Sequence, residues 1–169
     1  MYKSQKLALV VDDSKMQCKL LSVLLQEENY RVIVANDGAS GVEMYSEHQP
    51  DLVLMDINMP KMGGVEATQF ISDYHDNVKV LALTMHSSEK YISEMIKVGA
   101  LGYVLKDAGE EELKKAIQSV AEGIKYYSNE VSVTLIHALM NKDTSKSSTL
   151  SDRELEVLKY ISLGNTCKE

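Results

Sequence analysis

Five short runs of aliphatic residues recur along the first two thirds of the chain, at 7–11, 32–35, 52–55, 78–83 and 101–105. They are nearly continuous. A strand with one wet face alternates apolar and polar residues, whereas an unbroken run belongs to a strand buried on both faces, as in parallel sheets covered by helices on either side. The intervening segments carry apolar residues at helical spacing: Leu20, Leu21, Leu24 and Leu25, then Val42 and Tyr45, then Tyr91, Met95 and Ile96. Asp37-Gly38, Gly63-Gly64, Gly99 and Gly109 punctuate the element ends. Five βα repeats predict an α/β fold: a flavodoxin-like, doubly wound parallel sheet of five strands in the order 2-1-3-4-5, flanked by helices, with a short C-terminal helical extension.

With 169 residues the chain can bury one full core, leaving a remainder too short for a second domain. A net charge of -7 argues against a nucleic-acid surface over the whole molecule, because phosphate binding is driven by Lys and Arg. The two cysteines, Cys18 and Cys167, stand in no metal or redox spacing, which fits a reducing compartment. Neither a signal peptide nor a run long enough to span a bilayer is present, so a cytoplasmic location and no membrane partner are expected.

Beyond a fifth helix at 110–122 the pattern changes. Residues 128–140 read as another helix, with Ser128 as its cap and Val131, Leu135, Ile136 and Leu139 on one side. The stretch 141–149 is polar and reads as a linker. Ser151 and Glu154 then form a capping box, with Leu150 and Leu155 as its hydrophobic staple, opening a helix that stops at Gly164. A second box spans Thr166 and Glu169.

The polar residues at the strand ends carry the chemistry. In an open α/β sheet ligands bind outside the carboxyl ends of the strands, and there Asp12-Asp13, Asp56, Thr84 and Lys106 fall. Taken singly each has a structural explanation: Asp12 and Asp13 as helix caps, Thr84 as a turn former, Lys106 as a solvated lysine. Taken together, three carboxylates repel unless a cation neutralises them, and an oxygen-only donor set with room for water suits Mg²⁺. Asp56, where a strand breaks toward Pro60, can then act as a nucleophile toward phosphorus. The Thr84 hydroxyl can donate to a phosphoryl oxygen, and Lys106 offers a compact positive charge that binds phosphate.

The sequences Val10-Val11-Asp12-Asp13-Ser14, Leu54-Met55-Asp56-Ile57-Asn58-Met59-Pro60, Ala82-Leu83-Thr84 and Gly102-Tyr103-Val104-Leu105-Lys106 resemble the receiver domain of bacterial two-component response regulators. The resemblance covers roughly residues 6–123. It implies that Asp12 and Asp13 bind Mg²⁺ with Asp56 and the backbone carbonyl of Asn58, that Asp56 accepts phosphate from a sensor histidine kinase or phosphotransfer protein, and that Thr84 and Lys106 sense it. It further implies that Tyr103 turns inward as Thr84 is drawn to the phosphoryl group. The surface from Ser87 to Val98 and from Tyr103 into the fifth helix would be reshaped, a candidate face for a homodimer formed on phosphorylation.

Residues 150–169 are similar to the start of the LuxR-type helix-turn-helix of NarL/FixJ regulators, with Cys167 where the family usually has Asn. The expected division is thus a receiver at 1–127, a connecting helix and linker at 128–149, and the start of a truncated DNA-binding domain at 150–169. The recognition helix would follow Glu169, so DNA binding and transcription control are expected of the full-length protein only. The expected activity is a regulatory switch, with self-catalysed phosphoryl acceptance and slow autodephosphorylation. Two other readings compete. A flavodoxin-like binding module would place a flavin phosphate against Asp12-Asp13, which repels it. An aspartate-dependent phosphatase needs a second acid two positions after its nucleophile, and Asn58 stands there. His86, two residues after Thr84, would lie near the mouth of the site.

Overall fold

The aliphatic runs form strands and the segments between them form helices, in strict alternation. The elements are β1 (Lys6–Val11), α1 (Lys15–Glu27), β2 (Tyr30–Ala35), α2 (Gly38–His48), β3 (Leu52–Asp56), α3 (Gly64–Tyr74), β4 (Val80–Thr84), α4 (Glu89–Lys97), β5 (Gly102–Leu105), α5 (Glu110–Ala121), β6 (Tyr126–Tyr127) and α6 (Asn129–Lys142). They come from a computed structural model that describes residues 5–75, 77–85, 88–142 and 159. Residues 141 and 142, expected to open the linker, belong to α6, while the rest of that stretch, the capping boxes, Cys167, His86, Ser87 and the side chain of Leu139 lie outside what is described.

Every strand pair is parallel, and the sheet order is β2-β1-β3-β4-β5-β6. The expected 2-1-3-4-5 order is therefore present, but the sheet has six strands rather than five. The sixth is two residues long: Tyr126 N–H donates to the Leu101 carbonyl at 3.0 Å, and Ser128 N–H donates to the Tyr103 carbonyl at 3.2 Å. It covers the edge that β5 would otherwise expose. Two tyrosines between two helices are too short a run to show any period, which is why the sequence gives no sign of the strand.

Successive side chains along each strand point to opposite faces, so the sheet feeds two cores. On one face Ala8, Val10, Leu52, Leu54, Leu81, Leu83 and Val104 pack with Leu21, Leu24 and Leu25 of α1 and Ala116, Ile117 and Val120 of α5. On the other, Leu9, Val11, Val53, Met55, Val80, Ala82 and Tyr103 pack with α2, α3, α4 and α6. Cys18 is buried on α1, as a small core-facing residue would be. The helical stripe on α4 splits as its spacing demands, with Ile92, Met95 and Ile96 buried and Tyr91 partly exposed.

The connecting helix, α6, begins after Ser128 and packs against α4 and β5. Its buried face is Ser128, Val131, Ser132 and Leu135, spaced as one side of a helix, while Ile136 is only half-buried. The Ser128 carbonyl accepts from Ser132 N–H at 2.9 Å, but neither serine hydroxyl has a hydrogen-bond partner among the described residues. Ser128 thus starts the helix through its backbone rather than by the side-chain cap its residue type suggests. Burying Val131 and Leu135 contributes about 1.5–3 kcal/mol each, and leaving a buried hydroxyl unpaired costs about 1–3 kcal/mol. The two halves of this face therefore oppose each other. Among the described residues no helix is long and apolar enough to cross a membrane.

Candidate functional site

The carboxyl ends of β1, β3, β4 and β5 converge because parallel strands all finish on the same side of the sheet. Asp12 follows β1, Asp56 closes β3, Thr84 closes β4 and Lys106 follows β5. Asp12, Asp56 and Thr84 are buried, whereas Asp13 is exposed. Carboxylate oxygens of Asp12, Asp13 and Asp56 lie within 4.8 Å of one another. Lys106 reaches into this group, its Nζ 2.7 Å from Asp12 Oδ2 and 2.8 Å from Asp56 Oδ2. Its backbone N–H donates to the Thr84 carbonyl at 2.7 Å, which fixes the last two strand ends against each other.

Each carboxylate is held by local backbone. Asp12 Oδ1 accepts from Ser14 N–H at 2.9 Å, and Ser14 caps α1 by accepting from Gln17 N–H at 3.4 Å. The Cys18 thiol donates to the Asp12 carbonyl at 3.1 Å, and burial with the nearby Asp12 charge pushes that thiol's pKa up. Asp56 Oδ1 accepts from Asn58 N–H at 3.3 Å, while Ile57 N–H donates to the Leu83 carbonyl at 3.1 Å. The loop then folds back under α3: Gly64 N–H donates to the Ile57 carbonyl at 3.0 Å. A Cβ on Gly64 would stand 2.1 Å from the Asp56 carbonyl oxygen, so only glycine permits this approach. Gly64 is a site residue that sequence reasoning took for simple punctuation. The repeated glycine, placed just after a strand end and Pro60, was the available signal.

Three carboxylates face one ammonium. Burial raises the Asp56 pKa, Lys106 opposes that rise and the Asp12 charge adds to it. For Lys106, burial pulls the pKa down, but its contacts with Asp12 and Asp56 outweigh burial and leave it above the ordinary lysine value. The ammonium alone leaves two negative charges uncompensated in a largely buried site. Asp12 Oδ2 meets Lys106 Nζ at 2.7 Å, and the three carboxylates keep lone pairs beyond those the ammonium takes. An oxygen-only set with spare acceptor capacity fits a hard divalent cation such as Mg²⁺.

Tyr103 lies three residues before Lys106 with its ring fully buried. Burial pushes its hydroxyl up to about 12, with Thr84 close enough to act against the shift. Helix α6 packs on α4 and β5, next to this ring.

A doubly wound parallel sheet with an acid triad, a threonine and a lysine at four strand ends defines a receiver. Residues 8–118 match the family of the response regulator receiver domain, and the chain belongs to it. It is 36% identical over 158 residues to the transcriptional regulatory protein DegU of Brevibacillus brevis, covering 90% of this chain and 67% of that protein. It is also 36% identical over 172 residues to the oxygen regulatory protein NreC of Staphylococcus aureus, covering 95% of this chain and 79% of that protein. The crystal structure of a LuxR-family two-component response regulator from Aurantimonas sp. SI85-9A1 superimposes with a TM-score of 0.76. That likeness carries 28% identity and covers 81% of this chain and 99% of the other. The chain is thus a response regulator receiver with the LuxR-type regulators as its relatives.

Proposed function

We propose that Asp56 accepts a phosphoryl group from a sensor histidine kinase or a phosphotransfer protein. A carboxylate oxygen of Asp56 attacks phosphorus, and the bond from phosphorus to the donor breaks with its electron pair leaving on the donor. Asp12, Asp13, Asp56 and the backbone carbonyl of Asn58 would hold Mg²⁺, which when bound supplies positive charge against the acceptor and the phosphoryl oxygens. Lys106 exchanges its contact with the Asp56 carboxylate for one with a phosphoryl oxygen, and the Thr84 hydroxyl donates to another. The observation that carries this reading is the Lys106 ammonium bridging Asp12 and Asp56, a cation already held where a phosphoryl group would arrive.

Asn58 cannot serve as the second acid that a phosphatase uses for turnover, so the product persists on the protein as a signal. The chain then works as a cytoplasmic switch with slow autodephosphorylation rather than as a turnover enzyme. Thr84 and Tyr103 transmit the state, a homodimer forms on phosphorylation, and residues 150–169 begin a DNA-binding domain through which the full-length protein controls transcription. The transcriptional regulatory protein DegU, a relative over 90% of this chain, supports that output.

The test is intact mass after incubation with Mg²⁺ and acetyl phosphate. The mass should rise by one phosphoryl group in wild type and stay unchanged in Asp56→Ala or without Mg²⁺. An equal gain in Asp56→Ala would place the acceptor elsewhere.

A further inference from the structure

We propose that α6 is a releasable strap that reads the position of Tyr103, docking on α4 and β5 while that ring is buried and lifting when it leaves.

The C-terminal segment is attached to the receiver at Tyr103 itself. In the β5–β6 pairing Tyr103 stands opposite Tyr127, and the Tyr103 carbonyl accepts from Ser128 N–H at 3.2 Å, one residue before α6 begins. Below this attachment the Tyr103 ring shares one apolar cluster with Ile92, Met95 and Ile96 of α4 and with Val131 and Leu135 of α6. A Tyr103 ring that left this cluster would give up the packing it shares with both helices. Burial of the ring and docking of α6 would on this reading support each other.

The seam has the composition of a contact that opens. Ser128 and Ser132 alternate with Val131 and Leu135 along this buried face, and neither serine hydroxyl has a hydrogen-bond partner among the described residues. Lifting α6 would give both hydroxyls to water, so polar hydration favours opening while apolar burial favours closure. The buried faces of α5 (Ala116, Ile117, Val120 and Ala121) and α1 (Cys18, Leu21, Leu24 and Leu25) carry no such hydroxyl, and α3 carries one, that of Thr68. A two-state element needs two nearly balanced arrangements, and α6 has that balance.

The trigger rests on the reading of Asp56 as phosphoacceptor. Drawing the Thr84 side chain toward a phosphoryl group would hold Tyr103 inward and clamp α6, setting where the chain after Lys142 leaves the receiver. The balance of the strap itself does not depend on that reading.

Amide hydrogen exchange of the full chain, resolved by peptide, separates the two. In Ser132→Ala, exchange across 129–142 should slow on the order of fivefold, because a group that favours opening is gone. In Val131→Asp, the same amides should lose protection while those of α5 keep theirs. Faster or unchanged exchange in Ser132→Ala, or equal loss in α5 and α6 in Val131→Asp, would overturn the strap. With Mg²⁺ and acetyl phosphate, α6 exchange should slow in wild-type protein whose intact mass has risen, and Tyr103→Ala should abolish that slowing. Unchanged α6 exchange in loaded protein would overturn the coupling while leaving the phosphoacceptor reading intact. No rise in mass would instead defeat the phosphoacceptor reading and its trigger, with the two α6 variants still deciding the strap.

Discussion

Two sets of buried polar groups contrast in this receiver, one at the carboxyl ends of β1, β3 and β5 and one along the seam between α6 and β5. In the first they are charged and answer one another, with Lys106 Nζ 2.7 Å from Asp12 and 2.8 Å from Asp56. In the second they are neutral hydroxyls, those of Ser128 and Ser132, and nothing among the described residues answers them. A buried ion pair resists opening because separation leaves a charge stranded, whereas an unpaired hydroxyl gains by opening. The difference assigns fixed geometry to the reacting end of the molecule and movement to its far edge.

The largest expected effect comes from stranding the charges. Lys106→Ala leaves Asp12 and Asp56 without their cation and should destabilise the protein by about 3–5 kcal/mol in chelator, measured by urea unfolding. Mg²⁺ should restore part of this loss by occupying the same carboxylates. A stability equal to wild type in chelator would mean that the ion pairs hold nothing.

At the seam the corresponding deletion should be milder and local. Leu135→Ala removes one of the two apolar anchors of α6 and should cost about 2 kcal/mol, the lower end for a buried leucine, because the helix can lift rather than leave a cavity. Far-UV circular dichroism should show loss of about one helix before the main transition. A single cooperative transition shifted by twice that amount would show α6 to be as fixed as α5.

Gly64→Ala tests whether the reacting end depends on backbone placement as well as charge. The added methyl would stand 2.1 Å from the Asp56 carbonyl, and Gly64 is also hydrogen-bonded to Ile57, so the acceptor loop must shift. A loss of about 1–3 kcal/mol is expected, with phosphoryl acceptance reduced more than stability. Unimpaired acceptance would show that the loop tolerates displacement.

Sequence carried much of this and stopped at identifiable places. The strand runs were legible because burial on both faces removes alternation, and Asp12, Asp13, Asp56, Thr84 and Lys106 were legible because strand ends in such a sheet share one side. Tyr126–Tyr127 was not, since two residues carry no period. Neither was the polar half of the α6 face: Ser128 reads as a cap and Ser132 carries no signal until β5 and α4 are placed against them. Gly64 could be seen as a break but not as a close approach, because the group it avoids lies eight residues earlier in the chain.

The smallest effect has the opposite sign and bears on why the charged region is strained as well as fixed. Burial, reinforced by the Asp12 charge, raises the Asp56 pKa in spite of Lys106. A carboxyl whose folded pKa is raised contributes stability below its unfolded value, near 3.9, and loses that contribution as pH rises through the folded value. At pH 7 the ionised Asp56 therefore costs stability, and Asp56→Asn in chelator should melt a few degrees above wild type. The gap should close as pH falls toward the unfolded carboxyl range, where Asp56 becomes neutral in both states. Lys106 keeps its charge throughout, because its raised pKa lies above the ordinary lysine value. Mg²⁺ should also close the gap, by stabilising wild type more than the variant, since only wild type presents the third carboxylate. A variant that melts below wild type at pH 7 would mean that the Lys106 ion pair outweighs desolvation, and that the acceptor is stabilised rather than poised by its surroundings.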